Sequence, residues 1–180
     1  MNNLAKENFF NPMLLTIHNR KSVRKFTDEK ISKKILELLI KAGMAAPSAV
    51  NIQPWAFIAI DDEEILKKLH NTLPYAKMLK NAAIVVCGDN SKSSPHYANK
   101  YWVQDCSAAT ENILLAVESL GLGAVWTAVF PVEDRMKCMI EILNLLDHIT
   151  PLNVIPIGYP ASESDSMDKW KPDNLHWNKW

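Results

Sequence analysis

The 180-residue chain is the length of one domain and too short for two independent cores. With 48% apolar and 22% charged residues, its composition excludes long disorder, a collagen-like repeat and a disulfide scaffold. Twenty basic residues balance 20 acidic ones, so no global field holds nucleic acid or an anionic membrane, and any anion site must be local.

Three cysteines, Cys87, Cys106 and Cys138, stand far apart in apolar stretches. They form neither a CxxC pair nor a metal spacing with the five scattered histidines, which predicts buried thiols and no metal centre. Residues 1–19 lack a basic start followed by a long apolar run, and no stretch approaches the ~18 apolar residues of a membrane span. These features predict a cytoplasmic protein. A compact monomer of this size keeps roughly 8,800 Å² accessible and buries about 70% of its extended surface.

In chain order, Met13–Asn19 reads as a short helix. A clearer helix starts after Ser32, a good N-cap, with Ile31 and Leu36 spaced as a hydrophobic staple. Ile35, Leu38, Leu39 and Ala42 supply its apolar stripe, and Pro47 stops it. Ala56–Ile60 reads as a strand, followed by Asp61 and Asp62 at the start of a helix through Asn71. Ala82–Gly88 is a buried strand, and the longest helix spans Gln104–Leu120, closed by Gly121 and Gly123. A strand over Ala124–Val129, a helix over Asp134–Leu143 and a strand over Asn153–Gly158 follow. Short buried strands interleaved with helices predict one central sheet covered by helices on both faces. Periodicity leaves the strand order open.

The tail, residues 168–180, carries Trp170, Trp177 and Trp180, half of the six tryptophans. Each buries on the order of 150–250 Å² when packed, so the tail wraps either its own domain or a partner. Asp89–Lys100 is the most loop-like stretch.

Chemistry concentrates in two segments. Lysines outnumber arginines 17 to three, yet Arg20 and Arg24 both fall in Arg20-Lys21-Ser22-Val23-Arg24. In extended chain, Arg20, Ser22 and Arg24 share a face and offer two guanidinium forks and a hydroxyl, a donor set suited to phosphate. The alternative is a solvated basic face preceding a helix. The second segment, Ala45–Trp55, pairs small residues with Ser48, Asn51 and Gln53, neutral groups able to read the edge of a flat ligand. A helix-stop turn with local capping explains it better on these residues alone. No GxGxxG follows a strand, and no GxxxxGK[ST], GxSxG, HExxH or carboxylate pair is present. Such a chain borrows its chemistry from a cofactor or has none.

Arg20-Lys-Ser-Val-Arg24-Lys-Phe26 and Ala46-Pro-Ser-Ala-Val-Asn51-Ile-Gln53-Pro-Trp55 together resemble the FMN-dependent nitroreductase family. The likeness continues through Asp105–Asn112, Gly121–Trp126, Ile157–Pro160 and His176–Trp180. It implies an α+β fold, a three-layer α/β/α sandwich around a mixed, mainly antiparallel sheet, in an intertwined homodimer. Residues 1–180 would form one FMN-binding domain, with 1–12 as an N-terminal arm and 168–180 packed on the partner subunit. By the same resemblance, Arg20, Lys21, Ser22 and Arg24 hold the FMN phosphate and ribityl chain. Pro47, Ser48 and Asn51 of the other subunit line the flavin ring, and Trp126 and Thr127 lie beside it through their backbone. Lys169 stands where many relatives carry a phosphate-closing arginine, and Lys171 is a second candidate. NADH or NADPH is the implied donor, a small electron-poor aromatic the implied acceptor, and no catalytic side chain is required. Related scaffolds serve reductive dehalogenation or flavin cleavage, for which Ser91–Tyr101 is the candidate lid, with His96, Tyr97, Tyr101 and Trp102 to stack on an aromatic substrate; a plain surface loop is the competing reading. The non-enzymatic alternative is a flavin-binding or flavin-sensing protein with little turnover.

Overall fold

Three of the helices begin where a side chain accepts a free backbone amide. Asn11 Oδ1 receives Met13 N–H at 2.9 Å, Ser32 Oγ receives Ile35 N–H at 3.3 Å, and Asp62 Oδ1 receives Ile65 N–H at 2.9 Å. They start α1 (Pro12–Asn19), α2 (Lys33–Met44) and α3 (Glu63–Thr72). The computed structural model describes residues 11–92, 100–162 and 166–180. Within them lie two further helices, α4 (Trp102–Ser119) and α5 (Glu133–Leu143). Strands β1 (Trp55–Ile60), β2 (Ala82–Asp89), β3 (Gly123–Ala124), β4 (Thr127–Ala128) and β5 (Ile149–Gly158) form one sheet. No helix among these residues is long and apolar enough to cross a membrane.

The sheet order is β1-β2-β5-β3, with β4 also on β5, and every strand pair is antiparallel. One isolated parallel bridge, Ser22 to Ala124, adds the mixed character. Along β2, alternate residues feed two cores, as the strand's period of two requires. Ala82, Ile84 and Val86 pack with Leu36 and Leu39 of α2 and with Ala109, Ile113 and Val117 of α4. Ala83, Val85 and Cys87 pack with Leu66 and Leu69 of α3 and with Met139 of α5. The result is an α/β/α sandwich of three layers, as expected.

The stripe predicted for α2 is turned. Leu36, Leu39 and Gly43 are buried, while Leu38 is 51% exposed. Gly43 sets this phase, because a Cβ there would stand 3.0 Å from the Ile113 side chain and 3.2 Å from Phe57. The backbone of α2 therefore comes close to α4 at the glycine, and Leu38 turns outward.

The strand predicted over Ala124–Val129 is two short pieces in one register. Gly123 faces Gly158 and Thr127 faces Val154, so continuing the register puts Val125 opposite Pro156. Proline has no amide hydrogen to give a neighbouring strand, and the ladder lapses there. Gly123, expected at the helix terminus, lies in β3, where a Cβ would meet Val23 at 2.7 Å. Gly121 does take the left-handed conformation, at φ 69°. Strand β5 begins at Ile149, four residues before the predicted start, and accommodates Pro151 beside a bulge at the Val86–Cys87 step of β2.

Candidate functional site

The Arg20–Arg24 stretch is extended and rides on the sheet edge. Ser22 bridges Ala124, and Val23 N–H donates to the Ala124 carbonyl at 2.8 Å. Val23 occupies the space left by Gly123, while Phe26 lies over Gly158 and bridges Pro160. Anchored by Val23, the odd member, the stretch leaves Arg20, Ser22 and Arg24 on the opposite phase. Ser22 and Arg24 are exposed, and Arg20 and Lys21 are half-buried. Arg20 Nε lies 3.4 Å from Glu111 Oε1 of α4, which orients one side of its guanidinium. Two residues past the Ala124 bridge are Trp126, 36% exposed, and buried Thr127. The structure thus brings Arg20, Lys21, Ser22, Arg24, Trp126 and Thr127 to one edge of the sheet.

Pro47, Ser48 and Asn51 lie elsewhere on the chain. They form a turn whose backbone is tightly wound: Val50, Asn51 and Gln53 have φ of 45°, 56° and 53°. A β-branched residue in the left-handed region is strained, by about 1–3 kcal/mol. Ser48 Oγ accepts Gln53 N–H at 2.9 Å, and Gln53 Nε2 donates to Asn51 Oδ1 at 3.1 Å. Asp105, buried near the start of α4, accepts Ala49 N–H at 3.0 Å and ties the turn down. Val50 itself points outward, 64% exposed.

Asp105 and Glu111 are the residues that sequence reasoning left without a role. Asp105 carried a signal, because a carboxylate interrupts the apolar stripe Cys106, Ala109, Ile113 and Val117. A buried charge on such a face needs a partner, here the Ala49 amide. Glu111 had no such signal, being one of the two outward glutamates of α4, with Glu118.

The tail arrives at the same edge. Lys169 Nζ donates to the main-chain carbonyls of His18 and Arg20, each at 2.7 Å. Desolvation lowers its pKa from 10.5, helped by neighbouring Arg20 and Lys21 and opposed by Glu118 and Glu111. Lys171 is exposed and begins a short 3-10 turn, Pro172–Asn174; it does not join the cluster through any hydrogen bond or ion pair.

The core of the candidate lid, Ser93–Asn99 with His96 and Tyr97, lies outside the described residues. Its flanks are fixed. Asp89 accepts the Ser91 hydroxyl at 2.5 Å and the Ser91 amide at 3.0 Å, and Lys92 Nζ donates to the Trp55 carbonyl at 3.2 Å. Trp102, expected as a stacking surface for substrate, packs inward edge-to-face on Phe130, 4.9 Å between centroids, and against Gly88. Tyr101 is 44% exposed.

Burial pushes the Cys87 and Cys106 thiols up to about 12, so both are inert at neutral pH. Cys138, expected to be buried, is half-buried at the surface of α5. Among the described residues no three His, Cys, Asp or Glu side chains converge as metal ligands.

The nitroreductase family model matches residues 17–74 and 70–159. A protein of Archaeoglobus fulgidus, provisionally named an NADH dehydrogenase/NAD(P)H nitroreductase, is 46% identical over 93% of this chain and 98% of its own length. A solved structure from Parabacteroides distasonis, under the same provisional name, superposes with a TM-score of 0.89 at 49% identity, covering 94% of this chain and 99% of that one. A provisionally named nitroreductase from Desulfovibrio desulfuricans, solved in complex with FMN, gives a TM-score of 0.78 at 28% identity, covering 94% and 98%. With most of its length matched by the family model and by relatives in sequence and fold, the chain belongs to the nitroreductase family.

Proposed function

We propose that the protein is a cytoplasmic, homodimeric FMN-dependent oxidoreductase. It takes electrons from NADH or NADPH and reduces nitroaromatics, quinones or a similar electron-poor acceptor. The observation that carries this reading is the Arg20-Ser22-Arg24 face beside Trp126 and Thr127 on the sheet edge. Two arginines, Lys21 and a hydroxyl match a phosphate of nearly two negative charges, in a chain of zero net charge. Bound there, FMN would supply hydride-transfer chemistry between the nicotinamide donor and the acceptor. The chain's own residues would hold the phosphate and ribityl chain through Arg20, Lys21, Ser22 and Arg24. The Trp126–Thr127 backbone would flank the ring, and no side chain need take part in bond making.

Pro47, Ser48 and Asn51 fit this reading as residues contributed by a second copy. Their anchor, Asp105, and the Arg20 partner, Glu111, are six residues apart on α4. Six residues separate them by about 9 Å along the helix and roughly 120° around it, so the two groups diverge within one protomer. A site using both would be assembled across a dimer. Reduced, buried Cys87 and Cys106 agree with a reducing compartment.

The test is a visible spectrum of the purified protein, followed by anaerobic stopped-flow mixing with NADH and with NADPH. The expected result is bound FMN that bleaches with one or both nucleotides and recovers when a quinone is added. A protein that takes up no FMN overturns the reading. Flavin that binds but resists both nucleotides would make it a flavin carrier or sensor.

A further inference from the structure

We propose that Lys169 is a positioning residue that latches the C-terminal segment onto the end of α1 and thereby couples seating of that segment to anion binding at Arg20. The inference rests on the reading of Arg20–Arg24 as the flavin-phosphate site.

A helix leaves its last carbonyls without intrahelical partners, and they form the negative end of its dipole. At the end of α1, Arg20 N–H returns to the Thr16 carbonyl at 2.9 Å. The His18 carbonyl goes instead to Lys169 Nζ, which also takes the Arg20 carbonyl. One ammonium holding two carbonyls on either side of Asn19 fixes the turn from which the Arg20 side chain emerges. Ser166 Oγ adds a bond to Asn19 Oδ1 at 3.3 Å, so the same segment grips the same turn twice. Hydrogen bonds further along are local: Trp170 N–H to Asp168, Asn174 N–H to the Lys171 carbonyl and Leu175 N–H to the Pro172 carbonyl.

Charge makes the latch and the anion site interdependent. Lys169 stands among Arg20 and Lys21, whose repulsion Glu118 and Glu111 of α4 oppose. A dianion bound at Arg20 relieves more of that repulsion, so it favours the latched tail. By linkage, the latched tail favours the anion to the same degree. Lysine suits this role: a compact ammonium with three donors can serve two converging carbonyls, whereas the planar fork of arginine is matched to phosphate.

The experiment compares the full chain with Lys169→Met and Lys169→Arg. Hydrogen exchange of flavin-free protein is followed over residues 12–20 and 166–171, and each protein is titrated with FMN and with riboflavin. In Lys169→Met both segments should exchange faster before any flavin is added. FMN affinity should drop about tenfold, the scale of a charged hydrogen bond, with a smaller drop for riboflavin. Lys169→Arg, which keeps the charge but loses the compact three-donor ammonium, should restore only part of both. Unchanged exchange in flavin-free Lys169→Met overturns the latch and leaves Lys169 a plain phosphate ligand. Faster exchange with unaltered FMN affinity overturns the coupling. Should the unaltered protein take up no FMN, the functional reading fails, and the exchange rates still decide whether the latch exists.

Discussion

Arg20 shows how much a single side chain can be asked to do at this sheet edge. Its amide closes α1, its carbonyl receives Lys169, and its guanidinium meets Glu111. Arg20→Ala removes the guanidinium alone, so it should weaken FMN binding by roughly 1.5–3 kcal/mol while the thermal midpoint barely moves. Flavin titration beside a melting curve checks both halves, and unchanged flavin affinity would show that the phosphate lies elsewhere. Asp89 shows the opposite economy, a carboxylate spent on structure. Burial raises its pKa, but the Ser91 hydroxyl and amide, Lys92 and His148 more than reverse this, leaving it below 3.8. A depressed carboxylate contributes stability that is present above its unfolded pKa and lost as pH falls through the folded one. Asp89→Asn should therefore lower stability at neutral pH and flatten the loss of stability below about pH 4. Thermal melts of both proteins across pH 2–7 would show this, and parallel pH profiles would count against it.

Elements were legible where their signals are local. Ser32, read as an N-cap, announced the start of α2, and the acidic pair Asp61 and Asp62 announced the start of α3 at Glu63. The apolar run of β2 needed no partner to be read. What escaped depends on residues distant in sequence: Leu38 turned outward because Gly43 meets Ile113, and Ala124–Val129 split because Pro156 lies opposite. At the candidate site, extended Arg20–Arg24 was readable from alternation, whereas the Glu111 contact and the Lys169 latch span dozens of residues and were not. The two faces of the sheet should also respond differently to substitution. Leu69, fully buried against Ala83 and Val85, belongs to the core on the α3–α5 face. Leu69→Ala should cost about 2–5 kcal/mol in denaturant unfolding, with flavin affinity of the folded protein intact. Asp105→Ala should cost less, about 1–3 kcal/mol, because it frees only the Ala49 amide. Yet it should impair flavin binding, since the turn carrying Ser48 and Asn51 loses its tether. Equal flavin retention in the two variants would remove that turn from the site.

At the scale of the whole molecule, two described segments expose large apolar side chains. Met13, Leu15 and Ile17 of α1 are 62%, 45% and 43% exposed, and Trp170, Trp177 and Trp180 are 65%, 79% and 101% exposed. Trp180 touches its own His176 ring at 4.1 Å between centroids, and neither it nor Trp177 belongs to either core. In the proposed homodimer a second copy would cover this surface, and the separated halves of the proposed site would use the same partner. Trp177→Ala with Trp180→Ala should therefore leave the protomer folded while weakening its self-association. Buried interface tryptophans commonly contribute about 2 kcal/mol or more each, so with both removed the dissociation constant should rise on the order of 1,000-fold. Sedimentation velocity over a dilution series measures this directly. Flavin occupancy should fall in step with the dimer, since each site would borrow Ser48 and Asn51 from the other copy. If the double variant stays dimeric at the dilution where the unaltered protein does, the tail tryptophans carry none of the association.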